Sequence, residues 1–121
     1  MRKETIMNFR QETLEKLKDH NKTWDDVKFV QGNDFVVKNS KEEILELMDF
    51  EYDNGYGGPE IAQDLVIVGK DWWLERHEYD GSEWWEYKEL PEKLTVSKEI
   101  TKFVGNGWEL LKEINEEDDE V

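Results

Sequence analysis

Residues 72–89 read Trp72-Trp73-Leu74-Glu75-Arg76-His77-Glu78-Tyr79-Asp80-Gly81-Ser82-Glu83-Trp84-Trp85-Glu86-Tyr87-Lys88-Glu89. Asp-Gly between two β-prone runs is the strongest short hairpin signal, because both central residues of a type I′ turn need a positive φ. With Asp80 and Gly81 as the turn, Tyr79 faces Ser82. The register then runs back through His77–Trp84, Arg76–Trp85, Glu75–Glu86, Leu74–Tyr87 and Trp73–Lys88. A side-chain period of two sorts the faces. One carries Trp72, Leu74, Arg76, Trp85 and Tyr87; the other carries Trp73, Glu75, His77, Tyr79, Trp84, Glu86 and Lys88. The first is the predicted core face, since each buried aromatic contributes about 1.5–3 kcal/mol and the polar members have apolar stems or rings.

Immediately upstream, Leu65-Val66-Ile67-Val68 and the turn Gly69-Lys70-Asp71 extend the hairpin to a three-stranded antiparallel meander. Val27 and Phe29, then Phe35, Val36 and Val37, flank Gln31-Gly32-Asn33-Asp34, which predicts a short hairpin or two extended pieces joined by a turn. Ile6, Phe9, Thr13, Leu14 and Leu17 recur at helical steps, so residues 3–20 read as an amphipathic helix ending at His20-Asn21-Lys22. Ser40 and Glu43 have the spacing of a capping box ahead of Ile44, Leu45, Leu47 and Met48, predicting a second helix over 41–49. Tyr52 to Pro59, with three Gly and one Pro, reads as a loop that exposes Tyr52 and Tyr56. After Pro91, Ser97, Ile100, Phe103 and Val104 predict a short helix, and Trp108, Leu110, Leu111 and Ile114 another. Glu116-Glu117-Asp118-Asp119-Glu120 repels itself and reads as an acidic tail. The expected fold is therefore α+β: an antiparallel β-meander of three or more strands packed against helices from the N- and C-terminal parts. It forms one domain over 1–115, with the tail at 116–121.

Composition bounds the function. A chain of 121 residues can bury a single core covering roughly two-thirds of its unfolded surface. Although 39% of residues are charged, six Trp, four Tyr and five Phe are too many for a typical disordered segment. The absence of Cys excludes disulfides, thiolate metal sites and Cys nucleophiles, and fits a reducing cytoplasm. The charged N-terminus and the lack of any apolar run near ~18 residues predict neither signal peptide nor membrane anchor. A net charge of −15 repels nucleic acid and anionic lipid, and steers the chain toward a basic protein surface, including one that normally holds nucleic acid. The competing reading is that the charge serves solubility alone.

No catalytic residue emerges. Ser40, Ser82 and Ser97 lie at caps or a turn without a positioned His, and Gly55-Tyr56-Gly57-Gly58 lacks the Lys-Ser/Thr of a P-loop. His20 at a helix C-terminus needs no role beyond favouring the backbone dipole. Glu75, His77 and Glu86 share one predicted face and could hold a divalent metal or perturb one carboxyl for acid–base work, which keeps open a small metal-dependent enzyme. No cofactor is expected. The stronger feature is that Trp73, Tyr79 and Trp84 stand among carboxylates, since aromatics at the centre of a patch carry much of an interface's energy.

The segment Asp64 to Gly69 together with Trp72 to Tyr87 resembles small acidic proteins encoded by phages and prophages of Gram-positive bacteria, most of unknown function. The likeness covers the middle third of the chain, with the leader helix and the Tyr-Gly loop more loosely matched, and supplies no catalytic motif. Such proteins include anti-CRISPR proteins that mimic nucleic acid and inhibitors of Sir2-type NAD-depleting defence proteins. The resemblance thus implies a non-enzymatic inhibitor of a bacterial host protein, acting in the host cytoplasm. Its expected partner-binding residues are Trp73, Glu75, Tyr79, Trp84, Glu86, Tyr52 and Tyr56. A phage assembly component is the further alternative.

Overall fold

The structure, a computed structural model, describes residues 5–55 and 57–116. The expected domain over 1–115 spans two compact units, Met1–Leu90 and Pro91–Val121.

The first unit holds two antiparallel sheets. Strands β1 (Ile6–Asn8) and β3 (Glu51–Asp53) form one pair, with Met7 opposite Tyr52. The other sheet is four-stranded and has the order β2 (Phe29–Gln31), β4 (Val66–Val68), β5 (Trp72–Tyr79), β6 (Ser82–Glu89). Its last three strands are the expected meander. The β5–β6 register matches the sequence reading at every pair, from Tyr79↔Ser82 to Trp73↔Lys88. Asp80 and Gly81 have φ of 51° and 86°, as a type I′ turn requires. The turn before β5 depends on Gly69 for a different reason: a Cβ there would lie 2.1 Å from the Trp72 indole.

Helix α1 (Phe9–Asp19) is shorter than the expected 3–20, because Ile6–Asn8 is claimed by pairing with β3. Asn8 caps the helix by accepting from the Gln11 N–H at 2.9 Å, and His20 is its C-cap. Helix α2 (Lys41–Leu47) opens on the predicted capping box: Ser40 Oγ accepts from Glu43 N–H, and Glu43 Oε1 accepts from Ser40 N–H, both at 3.1 Å. Beyond β2 the chain turns back, with Val37 N–H donating to Val30 C=O at 2.8 Å and Val36 bridged to Gln31. That is the expected hairpin in minimal form.

The core sits on the predicted sheet face. Trp72, Leu74 and Trp85 are buried with Ile67, against Phe9 and Leu17 of α1. Trp85 stacks on Phe9 with centroids 5.6 Å apart, and its Nε1–H donates to Thr13 Oγ1 at 2.9 Å. The helix thereby meets the sheet through both apolar area and a satisfied polar atom.

In the second unit the helix expected around 97–104 does not form. Asn115 Oδ1 accepts from the Thr101 and Lys102 N–H groups at 3.0 and 3.2 Å, satisfying them without a helical ladder. Only one short helix, α3 (Leu111–Ile114), appears there among the described residues. Of the acidic tail, only Glu116 lies within the described residues.

Candidate functional site

Pleating turns Trp73, Glu75, His77 and Tyr79 of β5, with Trp84 and Glu86 of β6, away from the core. Tyr79, next to the turn, is 76% exposed, while Trp73, Glu75, His77, Trp84 and Glu86 are half-buried. Trp73 and the His77↔Trp84 pair are four residues apart along β5, about 13 Å at the ordinary strand rise. Between them lies the cross-strand pair Glu75↔Glu86. The face therefore presents two carboxylates bracketed by two indoles.

Each carboxylate is held by a ring N–H two residues before it. Trp73 Nε1–H donates to Glu75 Oε1 at 2.6 Å, and Trp84 Nε1–H donates to Glu86 Oε2 at 2.9 Å. The His77 Nε2 position is 2.7 Å from the other oxygen of Glu75. These bonds favour the ionised form. The Trp73 indole, followed by His77, holds the Glu75 carboxyl below the usual range, and the Trp84 indole does the same for Glu86. Like charges directly opposite one another oppose folding, and each carboxylate of this pair is offset by its own indole donor. Glu75, His77 and Glu86 do not converge as a ligand set, because Glu86 is turned to Trp84. No group of three or more His, Asp or Glu suited to a metal occurs among the described residues.

Two other expected contact residues stand differently. Tyr52 is 4% exposed, which corrects its expected place in an exposed loop. As part of β3 it packs edge-on to Phe9 at 5.9 Å, and its hydroxyl donates to Glu12 Oε1 at 2.5 Å. Tyr56 lies outside the described residues.

Tyr52 belongs to a charged cluster beneath the sheet that the sequence reading overlooked. The Arg76 side chain has no exposure, and its Nη2–H donates to Glu83 Oε1 at 2.8 Å and to the Tyr52 hydroxyl at 3.1 Å. Nη1 is 3.6 Å from Glu12 Oε2, and the guanidinium lies over the rings of Trp85, Phe9 and Tyr52, at 4.8 to 6.0 Å from their centroids. Glu83 also accepts from the Glu60 N–H at 2.6 Å and the Ile61 N–H at 3.3 Å. The signal was present. Glu83 is two residues from Trp85, so it shares the core face, and a buried Arg on that face demands a carboxylate.

Burial, only partly offset by the Tyr52 hydroxyl and Arg76, pushes the Glu12 carboxyl above its usual range. A carboxyl raised in the folded state contributes stability below its unfolded pKa and loses it as pH rises through the folded pKa. Glu12→Gln keeps an acceptor for Tyr52 and removes that loss. We expect its stability relative to wild type to improve as pH rises from about 4.5 toward neutrality, read as urea midpoints across that range. A constant difference would show that Glu12 is not held up by burial.

No family model matches the chain, and comparison with curated proteins and with solved structures gives no match.

Proposed function

We propose that this chain is a non-enzymatic protein-binding domain, an inhibitor encoded by a phage that blocks a basic protein of its bacterial host. The outer surface of β5 and β6 is its docking face. The observation that carries this reading is the opposed pair Glu75 and Glu86, held in place by the indole N–H groups of Trp73 and Trp84 and flanked by their rings. A Lys or Arg side chain entering between the indoles meets two carboxylates for charge-assisted hydrogen bonds and ring faces for cation–π attraction. Arg fits better, since its planar fork matches carboxylate geometry and stacks on aromatic rings. The overall charge of −15 steers such a partner in and makes capture depend on salt. Tyr79, exposed at the hairpin tip, extends the face.

The test is capture of a partner from bacterial lysate by tagged protein at low and high salt. Wild type should retain one partner stoichiometrically at low salt and release it at high salt. Trp73→Ala and Trp84→Ala should each weaken capture at least ~10-fold, as expected for truncation of a hot-spot aromatic, with an unchanged circular dichroism spectrum. Equal retention by wild type and both variants would remove this face from the interaction. Failure to capture anything at low salt would sink the inhibitor reading itself.

A further inference from the structure

Of the outward-facing side chains on β5 and β6, only the imidazole of His77 is of a kind that changes charge between pH about 5 and 8. Its Nε2 lies 2.7 Å from Glu75 Oε2. An ionised carboxylate only accepts, so in the neutral ring Nε2 carries the hydrogen and Nδ1 the lone pair. Nδ1 makes no hydrogen bond among the described residues, and with the side chain 40% exposed it takes up a proton directly from water. The ring also leans on Trp84, with centroids 6.5 Å apart and planes 25° from parallel. His77 thus borders both groups that an incoming cation would meet on this side of the site, the Glu75 carboxylate and the Trp84 indole.

Charge decides what protonation does. Glu75, Glu86 and Lys88 share the face, two negatives and one positive, so it carries −1 with a neutral imidazole and zero with an imidazolium. The neighbours on other elements do not offset this change. On β4 the residue opposite Glu75 is Val66, and Asp64, before that strand, is bound by the Asn33 N–H at 2.8 Å. Lys16 of α1, which acts on Glu86, adds positive charge. The Trp73 indole bonds one oxygen of Glu75 and His77 the other. As neutral donors they leave the negative charge for a guest, since a carboxylate offers about four acceptor sites. With the ring charged, Glu75 is held in an internal ion pair and the guest's cation meets a like charge. The carboxylates themselves do not change, because the Trp73 and Trp84 indoles hold both carboxyls below the usual range, and that range already lies under the window in which an imidazole titrates. We infer that, on the reading of β5 and β6 as the docking face, His77 is a built-in competitor for the partner's cation: neutral, it leaves the face open to a basic side chain; protonated, it occupies Glu75 and turns that side chain away.

An oligoarginine peptide stands in for the partner's basic segment. Its binding to the full chain, followed by titration calorimetry at low salt, should be at least ~5-fold weaker at pH about 5.5 than at about 7.5. His77→Gln keeps a neutral N–H donor for Glu75 and takes up no proton, so it should bind equally at both values, with an unchanged circular dichroism spectrum. Trp84→Ala should bind more weakly than wild type at the higher pH, which separates capture at this face from attraction to the net charge of −15. Coupling between proton and peptide is reciprocal. In proton NMR, saturating peptide should therefore move the His77 titration to lower pH by the same factor, and leave His20, stacked on Tyr87 on the core side, where it was. Binding that Trp84→Ala weakens but that is equal at both pH values would overturn the inference and leave the docking face standing, as would a pH dependence that His77→Gln retains. Peptide binding indifferent to Trp84, or absent at both pH values, would overturn the inference together with the docking face.

Discussion

Arg76→Met is expected to cost the N-terminal unit about 3–5 kcal/mol, the range for removing one partner of a buried ion pair. The substitution retains much of the stem volume, so the loss measures charge rather than packing. Glu83, with its side chain 1% exposed, would keep the Glu60 and Ile61 N–H donors but lose the Arg76 cation. Glu12 would lose the charge that offsets its burial. Against a total stability of about 5–15 kcal/mol for a small domain, this is enough to populate unfolded chains at room temperature. Urea denaturation followed by Trp fluorescence reads it directly. The double variant Arg76→Met, Glu83→Gln should recover part of the loss, because Gln still accepts from the two backbone donors and leaves no unpaired charge. If the single variant costs less than about 1 kcal/mol, the value ordinary for a surface pair, then Arg76 is not buried among these groups.

That cluster marks the limit of what could be read from the chain. The hairpin was legible because a type I′ turn admits few residues, and once Asp80 and Gly81 are placed the pleat fixes every side chain that follows. Both the core face and the outer site descend from that one dipeptide. The capping box at Ser40 and Glu43 was legible because it is local. Tyr52 was misplaced because its strand is defined by a partner forty-five residues away, Met7, and the glycines that follow it obscure a three-residue strand. The same long-range pairing shortened the first helix. The Ser97–Val104 helix was predicted from apolar spacing, but amphipathic spacing stabilises a helix only where the apolar face is covered, and here those residues are exposed. Glu12 could not be foreseen as buried, since helical periodicity places it beside Thr13 without saying how far the helix is sunk against the sheet.

The adjacent residues Trp84 and Trp85 allow the face assignment to be tested with two changes of identical chemistry. Trp85→Ala should cost about 3–5 kcal/mol, the ordinary range for deleting a large buried aromatic. Trp85 is 2% exposed, stacks on Phe9, lies over Arg76 and donates to Thr13 Oγ1, so truncation would open a cavity, leave the Thr13 hydroxyl with only its bond to the Phe9 C=O and strip a ring from the buried guanidinium. Trp84→Ala should cost about 1 kcal/mol or less, as for a side chain that keeps contact with water. Its main consequence lies in the site: Glu86 loses the indole N–H that orients its carboxylate, and a partner's cation loses one of two ring faces. The pair should therefore separate cleanly, with Trp85→Ala lowering the urea midpoint sharply and Trp84→Ala lowering capture of the basic partner at nearly unchanged stability. A register shifted by one residue would exchange the two outcomes, since it moves every side chain of β6 to the opposite face. Equal destabilisation by both would mean that the outer face is covered in solution, and the docking surface would then have to be sought elsewhere.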